Sequence, residues 1–247
     1  SNPFLLSMIC YTYDKGGETA LIERRSDLYA GCTQYLLQRR YDRSRRTYSK
    51  ADYDHIVQIL KEISLRFFLW QEADFSIEHV NVIGKRHLTA EVIGKTSDYL
   101  DDIQKRTGLL QRAQEGYTFV HRSLWEYFTA LALLDNKSFE FVIRHAANPD
   151  WEEVIRLYAG LLPDENDVIS LVNGLWTINR PLALRVTTEV QIPASELIKP
   201  LVDKEDGNQS RLLLIDSLEQ SLPLVSQEDL RILLRVTFGI LLVVYKG

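Results

Sequence analysis

Apolar residues recur at the helical period along most of the first hundred positions. The clearest stripe lies within 51–68, and its members are Ile56, Ile59, Leu60, Ile63 and Phe67. That spacing is typical of an amphipathic helix whose apolar side packs against a core. Similar patterns predict further helices, which are a first from Pro3 to about Tyr13, then 19–40, a short helix capped by Ser76, 88–93, and 98–106 with Ser97 at its cap and Gly108 at its end.

The pattern changes after Gly108. Residues 109–112 and 117–120 read as two strands around Glu115-Gly116, which is typical of a hairpin turn. A helix over 122–134 follows at once. Helices followed by a hairpin predict a winged helix.

Beyond residue 134 the sequence predicts helices alone. Six of the seven prolines lie there, at Pro149, Pro163, Pro181, Pro193, Pro200 and Pro223. They separate helical segments predicted over 138–146, 151–162, 165–176, 181–190, 194–203, 208–221 and 226–245. Short helices with short loops favour a HEAT-like α-solenoid in this part of the chain, although no sequence repeat is visible. The predicted fold class is therefore mainly α, with a winged helix before a solenoid.

Composition narrows the class of protein. The chain has 247 residues, 45% of them hydrophobic and 26% charged, with a net charge of −5. These values are typical of a soluble globular protein and disfavour nucleic-acid binding by charge. Cys10 and Cys32 predict thiols in a reducing, cytoplasmic compartment. The apolar run 236–245 is shorter than the ~20 residues of a membrane span, so membrane insertion is disfavoured. We expect a middle or terminal part of a larger protein.

Two segments resemble NACHT-type signalling ATPases, which are STAND-class relatives of NOD-like receptors. The stretch from Tyr117 to Leu133 reads Tyr-Thr-Phe-Val-His-Arg-Ser-Leu-Trp-Glu-Tyr-Phe-Thr-Ala-Leu-Ala-Leu. It is similar to the end of the family's winged-helix domain, except that Trp125 stands where the family often has Gln. The chain also begins with Asn2-Pro-Phe-Leu-Leu, which looks like the family's NPLLL segment.

The resemblance implies specific roles. His121 would hold the β-phosphate of bound ADP and keep the protein off, Arg122 would add positive charge, and Pro3 would pack near the adenine. Residues 1–48 would close a helical subdomain beside a nucleotide-binding domain of the same polypeptide that this chain lacks. Residues 49–135 would be the winged-helix domain. The repeats over 136–247 would sense a trigger in innate immunity, antiviral defence or other signal transduction. The whole protein would bind ADP or ATP and form a homo-oligomer when activated.

The residues themselves allow two interpretations of His121. It precedes a predicted helix, and the first N–H groups of a helix have no partner within the helix. We expect those of this helix to be unpaired, and that end of a helix favours an anion. Alternatively, it is a strand-end residue that bonds only to backbone. Pro3 likewise fits a helix start without any ligand role.

Catalytic chemistry is absent from the motifs of this chain. It contains no Gly-x-x-x-x-Gly-Lys-Ser/Thr loop, so we expect no ATP hydrolysis and no nucleotide or metal binding by the chain alone. Two other functions stay open: a helical-repeat scaffold and a DNA-binding winged helix. In a DNA-binding winged helix, the helix before the hairpin would enter the major groove. Here that helix carries Asp98, Asp101 and Asp102, which oppose DNA binding. The five arginines within 39–46 favour a solvated linker over a nucleic-acid or lipid contact.

Overall fold

The computed structural model describes residues 24–42, 50–87, 96–114 and 116–202. Within them the protein is mainly helical and has a two-stranded antiparallel hairpin, which confirms the mainly α class. The chain divides into two compact units, Ser1–Lys137 and Ser138–Gly247. The helices predicted over 3–13, 88–93, 208–221 and 226–245 lie outside the described residues.

Five helices and a hairpin make up the described part of the first unit. They are α1 (Arg25–Asp42), α2 (Lys50–Trp70), α3 (Ile77–His87), α4 (Thr96–Asp102), β1 (Leu110–Ala113), β2 (Gly116–Phe119) and α5 (Arg122–Asp135). The Ser76 hydroxyl accepts from the His79 N–H at 3.2 Å, which confirms the predicted cap of α3.

The end of α4 differs from the prediction. The helix begins at Thr96, so Ser97 lies inside its first turn, and α4 widens into a π-helical turn over Ile103–Thr107. Within that turn the Thr107 hydroxyl donates to the Ile103 carbonyl at 2.7 Å and accepts from the Leu109 N–H at 3.1 Å. Gly108 then takes φ 69°, which confirms it as the residue that ends the helix.

Packing of α2 against α5 forms the main core of this unit. The five stripe residues predicted in α2 are all buried, each at most 1% exposed. Trp125 of α5 packs edge-on against Phe68 at 5.1 Å, and its indole N–H donates to the Ser64 carbonyl at 2.8 Å. Trp125 therefore joins α5 to α2.

The hairpin confirms the predicted strands with a one-residue difference in the turn. Leu110 pairs with Phe119 and Ala113 pairs with Gly116, so Gly116 is the first residue of β2 and not part of the turn. On the other edge of β2, Phe75 and Tyr117 exchange two backbone hydrogen bonds of 2.8 Å each. A single residue before α3 thus extends the small sheet.

The described part of the second unit consists of short helices. They are α6 (Phe139–Arg144), α7 (Glu152–Leu161), α8 (Glu165–Ile178), α9 (Arg180–Val186) and α10 (Ala194–Val202), with 3-10 turns at Pro149–Trp151 and Thr187–Glu189. Side chains of Asp164 and Asn179 cap α8 and α9 by accepting from backbone N–H groups. These two polar caps explain why α8 and α9 start where they do.

Alternate helices of the second unit lie side by side. Helix α8 packs against both α6 and α10, while α7 packs against α9. Three side-chain hydrogen bonds link positions 33 residues apart, and these are Arg185 to Glu152, Arg156 to Glu189, and Asn179 to the carbonyl of Ala146. No repeat in the sequence predicts this constant offset of 33 residues.

Candidate functional site

The strongest sequence candidate, His121, lies where the hairpin meets α5. Its backbone is extended, with φ −146° and ψ 137°, and it occupies the N-cap position of α5. The side chain is half-buried. Strand geometry before the residue and helical geometry after it bring the imidazole back over the first turn of α5.

The imidazole itself caps the helix. Its Nδ1 accepts from the Ser123 backbone N–H at 3.1 Å and lies 2.6 Å from the Ser123 hydroxyl oxygen. The Leu124 N–H donates to the His121 carbonyl at 3.1 Å. The expectation that the first N–H groups of this helix are unpaired is therefore wrong for Ser123 and Leu124. Their donors bond to His121 because its extended backbone directs both acceptors at the first turn.

Arg122 bonds to a carboxylate on its own helix. Its Nε donates to Glu126 Oε1 at 2.8 Å, one turn further along α5. The arginine side chain is 57% exposed, whereas that of Glu126 is 8% exposed. Glu126 thus offsets the positive charge that the sequence placed beside His121. The spacing of four residues was a visible signal of this pair.

The aromatic residues around His121 belong to the core, as expected. Phe119 and Phe128 are buried with ring centroids 5.9 Å apart. Tyr127 stacks on Tyr29 of α1 at 5.4 Å, and burial raises the pKa of Tyr127. These aromatic rings pack in the core next to the junction between β2 and α5.

The other candidates from the sequence lie outside what the structure describes. Pro3 and the whole segment 2–9 fall there, so no distance joins them to His121. Cys10 and residues 43–46 of the arginine-rich segment fall there too. Cys32 is buried in α1, and burial raises the pKa of its thiol to about 11, which makes it an unreactive thiol at neutral pH.

An acidic side chain joins α4 to the hairpin. Asp101 accepts from the Tyr117 hydroxyl, from Arg112 at 2.7 Å and from Lys105 at 3.4 Å. The Arg112 guanidinium also lies 4.4 Å from the centre of the Tyr117 ring. Asp101 therefore engages two of the basic groups that a nucleic acid would need from this helix and hairpin, which weakens the DNA-binding alternative.

We expect this cluster to make stability depend on pH at both extremes. Burial, followed by the bond to Asp101, raises the pKa of Tyr117 from 10.0 to about 12. The unfolded phenol loses its proton first, so stability falls as pH rises through this range. The hydrogen bond from Tyr117, more than Lys105 or Arg112, lowers the pKa of Asp101 below 3.8, so its contribution is present above that pH and lost in acid.

The Tyr117→Phe variant should flatten both changes in urea-unfolding free energy measured across pH. Tyr127 remains in the variant and leaves part of the alkaline loss, since burial raises its pKa as well. Identical pH profiles for the variant and the wild type would contradict this account of the cluster.

His145 has a packing role in the second unit. His145 lies between Phe141 at 4.1 Å and Trp151 at 4.5 Å, and its Nδ1 is 2.8 Å from the Phe141 carbonyl. Across the described residues, no group of three or more His, Cys, Asp or Glu side chains could hold a metal ion. In the same part of the chain, every helix is too short or too polar to cross a membrane.

Comparison with known proteins returned no match. No family model matches the chain, and no curated protein or solved structure matches it either.

Proposed function

We propose that this chain is the regulatory and sensor part of a NACHT-like signalling ATPase. In this proposal a winged helix clamps ADP in the off state, and the helical repeats sense a trigger in defence or signal transduction. The observation that carries the proposal is the position of His121, between a hairpin and a helix with a buried face, in the sequence pattern that resembles the family.

The order of elements supports a winged helix. Helix α2 is followed by the one-residue bridge at Phe75, by α3 and α4, and then by the hairpin. The bridge pairs with β2, and β2 pairs with β1, so three segments form a small antiparallel sheet beside three helices. That arrangement is the one expected of a winged-helix domain, in which the hairpin is the wing.

Packing in the second unit supports the HEAT-like sensor. A solenoid places each helix beside the equivalent helix of the next repeat. Helices α6, α8 and α10 follow one another in this way, as do α7 and α9. The bonds from Arg185 to Glu152 and from Arg156 to Glu189 join α7 to the segment 180–189 at one constant offset of 33 residues, as expected where one repeat packs in register on the next.

The proposed mechanism is a two-state switch. The nucleotide-binding domain of the same polypeptide supplies most contacts to ADP, and His121 adds a hydrogen bond to the β-phosphate in the closed form. In this proposal Arg122 would lie near the phosphate, and Pro3 would lie near the adenine. A trigger on the repeats and exchange to ATP favour the open form, which assembles into a homo-oligomer in the cytoplasm. A ligand shifts such an equilibrium only by its difference in affinity for the two forms.

A helical-repeat scaffold without a nucleotide role is the second candidate. The capping bond from Ser123 to His121 Nδ1 favours it, because this bond gives the histidine a structural task that needs no ligand. The two candidates predict different outcomes for the nucleotide and for His121.

The isolated chain should show no measurable ADP or ATP binding by calorimetry. It has no phosphate-binding loop, and the N–H groups of Ser123 and Leu124 are already paired. The same measurement on this chain joined to the coding sequence upstream of Ser1 should show ADP binding that weakens when His121 is replaced. Micromolar binding by the isolated chain would contradict the assignment of the main phosphate contacts to another domain.

The gene sequence upstream of Ser1 gives the most direct test of the proposal. A phosphate-binding loop encoded there would support the ATPase hypothesis, and its absence from the complete gene would support the helical-repeat scaffold hypothesis. A salt-dependent shift of duplex DNA by the chain would instead favour the DNA-binding alternative.

A further inference from the structure

The contacts of Ser123 fix which nitrogen of His121 carries a proton. A backbone N–H is always a donor, and that of Ser123 points at Nδ1 from 3.1 Å. In the neutral ring Nδ1 must therefore be the acceptor, and the proton lies on Nε2. The opposite tautomer would place two N–H groups against each other.

The Ser123 hydroxyl strengthens the same choice. Its oxygen lies 2.6 Å from Nδ1, and a hydroxyl can rotate to donate where a lone pair is offered. Ser123 is only 5% exposed, so water competes little for these bonds. Two donors from one residue thus converge on Nδ1.

We propose that Ser123 is a positioning residue, which holds His121 as a hydrogen-bond donor at Nε2. Such a ring recognises acceptor groups, including phosphate oxygens. It is a poor metal ligand, because Nδ1 is occupied and Nε2 is protonated. The link to phosphate rests on the proposed function, whereas the tautomer is a property of this chain.

The tautomer can be measured directly by NMR on the ¹⁵N-labelled chain. Long-range ¹H–¹⁵N spectra report which ring nitrogen is protonated, at a pH well above the ordinary histidine range. A His121→Ser spectrum assigns the signals, and exposed His79 serves as the internal reference. A ¹⁵N–¹⁵N coupling through the hydrogen bond between the Ser123 amide and His121 Nδ1 tests the contact itself.

We expect that coupling to be present and the Nδ1–H form of His121 to be about five- to tenfold rarer than that of His79. One hydrogen bond of ordinary net strength shifts an equilibrium by about this factor. Ser123→Ala keeps the amide but loses the hydroxyl, and should raise the rare form about threefold. Ser123→Thr keeps the hydroxyl and should restore the wild-type ratio.

Three results would overturn the proposal. They are a protonated Nδ1 in the wild type, an absent coupling, and a Ser123→Ala spectrum with the wild-type ratio. None of these readings involves a nucleotide. If the tautomer is as expected but ADP does not bind the longer polypeptide, the proposed function fails and the assignment of Ser123 stands.

Discussion

The His121→Ala variant of the full-length protein should be active without its trigger. In the proposed mechanism His121 donates to an ADP phosphate in the closed form and not in the open form. A hydrogen bond to a charged group contributes about 1.5–3 kcal/mol. Losing it from one form alone should raise the open fraction about ten- to a hundredfold, because 1.4 kcal/mol is about a factor of ten. Trigger-free signalling output measures this change.

The same variant should also lose some stability. The imidazole caps α5 through Ser123, and replacing an N-cap residue by alanine costs about 1 kcal/mol. The sequence alone predicts that a residue at an exposed strand–helix junction contributes little to the fold, but the capping bond of His121 gives it a measurable share of the stability. Melting curves must therefore accompany the activity measurements.

His121→Ser separates the two effects. Serine is a favoured N-cap residue and restores a side-chain acceptor for the first turn, but it has no imidazole N–H to reach a phosphate. We expect His121→Ser to melt near the wild type and yet to signal without a trigger. If His121→Ser is silent, and only the alanine variant loses stability, the histidine is a cap and the scaffold reading is correct.

The Gly116→Ala variant should destabilise the first unit by about 3 kcal/mol, which combines overpacking with two lost hydrogen bonds. A Cβ at Gly116 would lie 2.2 Å from the Phe75 carbonyl oxygen and 2.8 Å from the Cα of Ser76. Both neighbours are backbone atoms, so no side-chain rotation relieves the contact. The paired hydrogen bonds between Phe75 and Tyr117 must break or lengthen.

Gly31→Ala is the matched control for this glycine. Gly31 lies within α1, and a Cβ there has no neighbour within 4 Å. Alanine should therefore stabilise α1 by up to about 1 kcal/mol through helix propensity. Urea unfolding gives both free energies, and amide exchange of Phe75 and Tyr117 reports the bridge. Unchanged exchange in Gly116→Ala would show that the backbone at Phe75 yields without cost.

The sequence by itself determined the features that depend on local spacing. The apolar stripe of α2 repeats every three or four residues, so its burial follows from helical geometry. The Ser76 cap and the end of α4 at Gly108 depend on neighbours within one turn. The hairpin was visible for the same reason, since its strands are joined by a short turn. The Arg122–Glu126 pair depends on the same local spacing of four residues.

Only the tertiary structure decided which residues pack against each of these local features. Gly116 reads as a turn glycine, but the approach of the distant Phe75 makes it a packing glycine at the start of β2. The sequence pattern predicts His121 as a site residue, but only the folded junction between β2 and α5 places its Nδ1 within hydrogen-bond distance of Ser123.

The same holds for the second unit. Proline and polar residues predict where its helices begin and end. They do not predict that α8 packs against α6, α9 and α10. Spacing along the chain fixes contacts within a turn or a hairpin because the backbone geometry there is repetitive. Contacts between distant segments depend on how the helices pack, and the side chains that mediate them carry no local signature.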